Sequence, residues 1–195
     1  MILASRSPQR RTILEQLGIP FEVRVADVDE LGEGPPHEVA VENAYRKAAA
    51  VAGLGFTGGG GVAQAGAPGE LVLGVDTIVT LGGQIYGKPA GVDHARETLR
   101  ALSGCRHAVV SGVCLIEGPR VRTAVSTTLV DFRALDDPVI EWYLETGEWS
   151  GRAGGYAIQG RGAALVRSLE GDYLNVVGLP VALLLELAPE LLWAP

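Results

Sequence analysis

An apolar run with a single carboxylate in its middle is the feature that most constrains how this chain can fold. Residues 71–79 read LVLGVDTIV, a pattern typical of a strand buried on both faces. An ionised Asp76 in such surroundings needs a cation, a metal or several hydrogen-bond donors, because its desolvation is otherwise costly. Alternatively, Asp76 ends the strand and bonds to neighbouring backbone amides. The run therefore predicts a central strand with a candidate site at Asp76.

A hairpin after this strand is predicted to bring a lysine toward the same carboxylate. Two β-like runs are separated by Gly82-Gly83, a strong signal for a two-residue turn. With this turn Val79 pairs with Tyr86, and Lys88 returns beside Asp76. An Asp and a Lys at the end of a buried hairpin indicate a site more than a solvated surface pair.

Composition limits the classes of function. A chain of 195 residues that is 47% hydrophobic predicts one domain over residues 1–195, with two lobes. A net charge of -7 without clustered cations argues against nucleic-acid and membrane partners. Cys105 and Cys114 lie nine residues apart in one predicted strand, too far to bridge, which predicts reduced thiols and a cytoplasmic protein. No apolar run is long enough to span a bilayer, and we expect a soluble chain.

The amino-terminal segment predicts an anion site at the start of a helix. Ser7 is a good N-cap, Pro8 suits the first helical position, and Gly18 is expected to end the helix. Arg10 falls in the first turn on the core-facing side, where a cation is unfavourable unless an anion is bound. Ser5 and Ser7 add hydroxyl groups for a phosphate. The alternative is a capped helix with solvated arginines.

Three weaker signals lie between this helix and the central strand. The acidic residues 27–30 could hold a divalent metal or form a solvated turn. The helix predicted at 37–51 places Asn43 and Lys47 on one face, within reach of a phosphate or simply in solvent. Residues 53–69 are rich in glycine but lack the Gly-Lys-Ser/Thr of a phosphate-binding loop, which predicts a mobile surface loop.

The second half of the chain contains one further candidate substrate-binding residue, Gln159. Residues 151–162 hold five glycines around Gln159, which indicates close approach of backbone to a ligand or an ordinary glycine-rich turn. The Gln159 amide could donate to and accept from a nucleobase edge. The other predicted elements are helices at 91–102, from Asp136 to Gly147 and from Leu179, strands at 105–116 and 121–132, and a terminal hairpin of 163–169 with 172–177.

Taken together, these stretches resemble the Maf family of nucleoside triphosphate pyrophosphatases over nearly the whole chain. The resemblance implies an α/β fold with a mixed, elongated, two-lobed sheet, flanking helices and a central cleft, similar to the inosine triphosphate pyrophosphatases. It also implies a homodimer. The motifs that carry it are LASxSPxR at 3–10, NAxxKA at 43–48, GxDT at 74–77, GKP at 87–89, LSG at 102–104, GYxIQG at 155–160, and GDY through GLP at 171–180.

The resemblance further implies hydrolysis of nucleoside triphosphates, chiefly dTTP and UTP or modified pyrimidine nucleotides, to the monophosphate and pyrophosphate. The reaction would need Mg²⁺ or Mn²⁺, held by Glu30 and Asp76. Asp76 would accept a proton from the attacking water, with Lys88 as the second catalytic residue. The implied substrate-binding residues are Ser5, Ser7, Gln9, Arg10, Lys47, Thr77 and Gln159.

Gln9 departs from the family pattern. The branch acting on thymidine and uridine triphosphates usually has Arg there, and the branch similar to 7-methyl-GTP pyrophosphatases has a bulkier residue. Asp76-Thr77 and Gln159 favour the former branch, whereas a neutral amide at position 9 predicts looser base selection. The alternatives are 7-methyl-GTP specificity and, from another class, a non-catalytic nucleotide-binding or cell-division-associated protein. Retention of Asp76 and Lys88 argues against the latter.

Overall fold

Strand β3 (Leu71–Leu81) is the central strand of the sheet, as its sequence predicts. The computed structural model describes residues 1–25, 27–54 and 70–193. Within these residues the sheet has seven strands in the order β2-β1-β3-β5-β6-β7, with β4 also on β3. The other strands are β1 (Ile2–Leu3), β2 (Glu22–Val23), β4 (Gln84–Tyr86), β5 (Arg106–Glu117), β6 (Arg120–Phe132) and β7 (Val166–Glu170).

The sheet is mixed, which confirms the predicted α/β class. Strand β1 runs parallel to β2 and β3, and the remaining pairs are antiparallel. The helices are α1 (Pro8–Gln16), α2 (Pro36–Ala52), α3 (Val92–Leu102), α4 (Asp137–Glu145), α5 (Tyr173–Val177) and α6 (Val181–Leu187). Short 3₁₀ turns occupy Ala153–Gly155, Arg161–Leu165 and Pro189–Leu192.

One edge of β3 is interrupted, and this gap positions the cleft. Strand β5 pairs with β3 from Leu71 to Thr80. On the opposite edge β1 pairs with Val72 and Leu73, and β4 pairs only from Val79 onward. Asp76 and Thr77 therefore lie on the stretch between these two short partners, where side chains from both faces of the sheet can reach a common opening.

Two apolar clusters cover one face of the sheet at opposite ends of β3. The first includes Leu73 and packs α1 and α6 against the sheet, and the second includes Val79 and packs α3 and α4. Thr77 lies between Leu73 and Val79 on the strand, and its side chain is on the same face of the sheet as theirs. This arrangement accounts for two lobes around a central cleft within one continuous sheet.

Helix α2 lies on the other face, directly against the strands. A Cβ added to Gly74 would overlap the carbonyl oxygen of Ala44, and one at Gly112 would overlap that of Ala40. The two glycines therefore allow the backbone of α2 to contact β3 and β5 closely. This contact sets the distance between α2 and the sheet, and with it the position of the α2 side chains relative to Asp76.

Most predicted elements are confirmed, with one correction. The hairpin register is as predicted, with Val79 opposite Tyr86. The predicted terminal hairpin is wrong, because Tyr173–Val177 is helix α5 and only Val166–Glu170 is a strand. The Asp172 carboxylate caps α5 by accepting from the Leu174 amide at 2.7 Å, a local bond that outweighs the β propensity of the run.

Two other expectations can be compared with the structure, and a third concerns residues that it does not describe. Cys105 and Cys114 are free thiols, as predicted. None of the described helices is long and apolar enough to cross a membrane. The predicted mobile loop at 53–69 falls almost entirely on residues 55–69, which lie outside the described residues.

Candidate active site

The ten side chains selected from the sequence line one cleft at the gap in β3. They come from the start of α1, the acidic loop before α2, helix α2, strand β3, the segment after β4 and the glycine-rich segment. The residues are Ser5, Ser7, Gln9, Arg10, Glu30, Lys47, Asp76, Thr77, Lys88 and Gln159. The structure thus brings all of them together, and their individual roles stay predictions.

Asp76 is buried, and helix α2 compensates its charge. The Lys47 ammonium contacts Asp76 Oδ1 at 2.6 Å, and the Asn43 amide donates to Oδ2 at 3.1 Å. Only 6% of Asp76 is exposed, so these contacts replace much of the water that the carboxylate loses. The alternative that Asp76 ends the strand is wrong, because β3 continues to Leu81.

Asn43 also fixes the acidic loop. Its amide donates to the Leu31 carbonyl at 3.0 Å and accepts from the Leu31 amide at 2.7 Å. The neighbouring Glu30 is thereby held over α2, and its carboxylate contacts Lys47 Nζ at 2.9 Å. A single ammonium therefore bridges Glu30 and Asp76.

The predicted pairing of Lys88 with Asp76 is wrong. The β3–β4 ladder ends at Tyr86, so Thr77 has no strand partner at position 88. Lys88 is exposed and lines the cleft, whereas in the described part of the chain the ion pair of Asp76 is made by Lys47. Extending the hairpin register by two residues placed the wrong lysine on the carboxylate.

Arg10 is a buried cation whose acceptors are neutral. Its guanidinium donates to the Gly178 carbonyl at 2.8 Å, to Ser5 Oγ at 2.9 Å and to Thr77 Oγ1 at 3.1 Å. Burial lowers the pKa of Arg10, and the more distant charges of Asp76 and Glu30 partly oppose that shift. Such a cation gains substantially from an anion in the cleft.

The start of α1 is organised by two serines. Ser7 Oγ accepts from the Arg10 amide at 3.5 Å as the helix N-cap, and Ser5 Oγ accepts from the Ser7 amide at 3.2 Å. Thr77 Oγ1 also contacts Ser111 Oγ at 2.9 Å. The hydroxyls therefore orient the segment and the arginine, and Gln159 lies exposed at the rim of the same cleft.

Sequence reasoning missed Arg152, which also lines the cleft. In the orientation of the Gln9 amide that gives both its nitrogen and its oxygen a hydrogen-bond partner, the nitrogen donates to Ser7 Oγ and the oxygen accepts from Arg152. The only signal in the sequence was a basic residue within the glycine-rich segment 151–162. A contact between such distant positions cannot be read from spacing.

The donor set of the cleft fits a hard divalent cation. Glu30 and Asp76 offer carboxylate oxygens that already converge on one positive group, Lys47 Nζ. Mg²⁺ in nucleotide sites usually takes one or two carboxylates together with phosphate oxygens and water. Among the described residues no three His, Cys, Asp or Glu side chains cluster for metal binding. The protein would therefore supply two ligands, and substrate and water the remainder.

Known proteins match this chain over nearly its whole length. A family model described as "Maf-like protein" matches residues 1–191. A dTTP/UTP pyrophosphatase of Pyrococcus furiosus is 43% identical over 191 residues, covering 96% of this chain and 93% of its own. Proteins of the same name from Anaeromyxobacter dehalogenans and Symbiobacterium thermophilum are 45% identical over 188 and 183 residues, covering 93% of this chain and 89% and 88% of their own.

Proposed function

Because this chain belongs to the Maf family, we propose that its cleft hydrolyses nucleoside triphosphates, chiefly dTTP and UTP, to the monophosphate and pyrophosphate. The observation that carries the proposal is Asp76, a buried carboxylate held by Lys47 and Asn43 at the opening where Arg10 is also found. A base and a set of cations in one cleft suit attack of water on a polyphosphate.

In this mechanism Asp76 orients water and accepts its proton as oxygen attacks the α-phosphorus. Lys47 and Asn43 each engage one oxygen of the carboxylate, and remaining lone pairs can accept from water. Arg10 and Lys88 provide positive charge for a triphosphate, which brings about four negative charges. Phosphoryl transfer depends largely on such positioning and charge stabilisation.

The proposed cofactor is Mg²⁺ or Mn²⁺, held by Glu30 and Asp76 with substrate oxygens. When bound, the metal would neutralise charge that develops on the phosphates. Lys47 contacts both carboxylates, so it can limit their mutual repulsion before the cation arrives.

Base choice is assigned to Thr77 and Gln159, which line the cleft together with position 9. We further propose a homodimer, on the family resemblance, and a reducing compartment such as the cytoplasm, on the two free thiols. Sedimentation analysis tests the dimer.

A nucleotide panel tests the proposed activity. The purified protein is incubated with dTTP, UTP, CTP, GTP and 7-methyl-GTP in Mg²⁺ or Mn²⁺, and monophosphate and pyrophosphate are quantified. We expect equal amounts of both products and the highest kcat/KM with dTTP and UTP. A matched Asp76→Asn preparation controls for contaminating phosphatases. Orthophosphate and a nucleoside diphosphate as main products would refute the proposal.

A further inference from the structure

Gln9 and Arg152 form a contact across the cleft that joins α1 to the glycine-rich segment. The Gln9 amide oxygen accepts from the two terminal nitrogens of Arg152, at 2.7 and 3.2 Å, while its nitrogen donates to Ser7 Oγ at 3.0 Å. The N-cap hydroxyl of α1 therefore orients Gln9, and Gln9 in turn orients the guanidinium.

Among the described residues, the hydrogen-bond acceptors of Arg152 are neutral. Besides Gln9, its Nε donates to the main-chain oxygen of Glu148 at 2.9 Å. The carboxylate of Glu148 accepts instead from the backbone amides of Arg161 and Gly162, at 3.0 and 3.3 Å. These bonds fix the direction of the Arg152 guanidinium without neutralising it.

The cations of the cleft differ in whether a carboxylate already compensates their charge. Lys47 is engaged by both Glu30 and Asp76. Arg10 and Arg152, by contrast, are held by neutral oxygens. A guanidinium fixed in this way is pre-organised for a phosphate, because binding costs little side-chain entropy and satisfies an uncompensated charge.

We propose that Arg152 is a phosphate-binding residue of this cleft and that Gln9 positions it. The inference rests on the proposed function and adds a residue to it. Because phosphate is common to all nucleotides, Arg152 contributes to affinity for the triphosphate and not to choice of base.

The contact also changes what is expected of Gln9→Arg. If the neutral amide at position 9 loosens base selection, as the sequence predicts, this substitution should narrow the range of substrates. In the structure, a second guanidinium at position 9 faces Arg152, and two like charges at this distance repel each other. The informative variant is therefore the exchange, in which Gln9→Arg is combined with Arg152→Gln.

The first experiment measures binding of inorganic tripolyphosphate by titration calorimetry, without turnover. We expect Arg152→Gln to weaken binding roughly 10- to 100-fold, the range for loss of a charged hydrogen bond. Arg152→Lys should retain much of the affinity, and the exchange variant should recover much of what Arg152→Gln loses. Arg161→Gln, which removes an exposed charge outside the cleft from the same segment, is the matched control.

The second experiment compares KM for UTP and CTP in the same variants. Arg152→Gln should raise both KM values by the same factor.

Three results for tripolyphosphate affinity would overturn the inference. The first is an affinity of Arg152→Gln equal to that of the unmodified protein. The second is an affinity of Arg152→Lys as low as that of Arg152→Gln at an unchanged Tm, and the third is an exchange variant that binds no better than Arg152→Gln. A changed UTP/CTP ratio with unchanged tripolyphosphate affinity would assign Arg152 to the base and also overturn it. Tripolyphosphate binding by an unmodified protein that cleaves no nucleotide would refute the proposed function alone.

Discussion

Asp76 is buried and has two partners that compensate its charge. Replacing it by asparagine therefore removes the charge while it keeps the shape of the side chain. Asp76→Asn preserves the side-chain volume, and Lys47 keeps Glu30 as a partner. We predict that kcat falls about 10²-fold or more, as on removal of a general base, while Tm changes little. Turnover near that of the unmodified protein in a pure, folded sample would exclude the proposed role.

A substitution at Glu30 tests the proposed metal site separately from the proposed base, Asp76. Glu30→Gln removes one of the two carboxylates that converge on Lys47 and should raise the Mg²⁺ concentration for half-maximal activity by about tenfold or more. Glu33→Gln removes an exposed charge from the same loop and serves as control. Equal metal requirements in the two variants would show that Glu30 is not a ligand.

Residue-scale prediction succeeded where the sequence carried a local constraint. The apolar run around Asp76 and the Ser7-Pro8 helix start each imply their surroundings through short-range rules. The lysine on Asp76 was misassigned, because hairpin pairing ends at a point that the turn residues do not determine. Arg152 was missed because its contact with Gln9 depends on how distant segments pack.

At the scale of elements, the contact of α2 with the sheet should control both stability and activity. Gly112→Ala would force α2 away from β5 at Ala40, and with it the Asn43 and Lys47 side chains. We predict a loss of about 1–3 kcal/mol in unfolding free energy, with reduced kcat. Gly32→Ala, at a site with open space, should leave both unchanged. Equal stability of the two variants would contradict this account of packing.

A buried histidine packed against the second apolar cluster makes stability depend on pH. His107 contacts the Tyr156 hydroxyl at 2.9 Å and packs on the Phe132 ring, and burial lowers the pKa of His107 from 6.5 to about 4. Between these values the unfolded chain binds the proton and the folded chain does not. Stability should therefore fall as pH falls from 6.5 to 4, by about 1.4 kcal/mol per pH unit. Denaturant titrations of His107→Gln should lack this component, and an unchanged pH profile would contradict it.

Element-scale prediction worked best for long periodic segments and failed for a short one. The long strands and α2 have patterns extended enough to define their type, whereas Tyr173–Val177 has only five residues. Its helical form depends on the Asp172 cap and on the buried Asn175 amide, which donates to the Val109 carbonyl and to Thr128. Those partners lie on other strands and are invisible to local propensity.

At the scale of the whole molecule, one sheet joins the two apolar clusters and leaves the cleft between them. The sheet is continuous through both clusters in the described residues, and a single domain over residues 1–195 stays a prediction. The chain carries a net charge of -7, yet the cleft gathers Arg10, Lys47, Lys88 and Arg152. The local arrangement of charge suits the proposed anionic substrate, while the net charge of the chain predicts weak binding of extended polyanions. Composition gives the net charge, but only the fold shows where the cations meet.

The central claim is that water attacks the α-phosphorus of a nucleoside triphosphate in this cleft. Hydrolysis of UTP in ¹⁸O-labelled water, followed by mass spectrometry of both products, tests it most directly. The account predicts one labelled oxygen in UMP and unlabelled pyrophosphate, with label incorporation strongly reduced in Asp76→Asn. Label in pyrophosphate or in orthophosphate would mean that another phosphorus is attacked and would contradict the account.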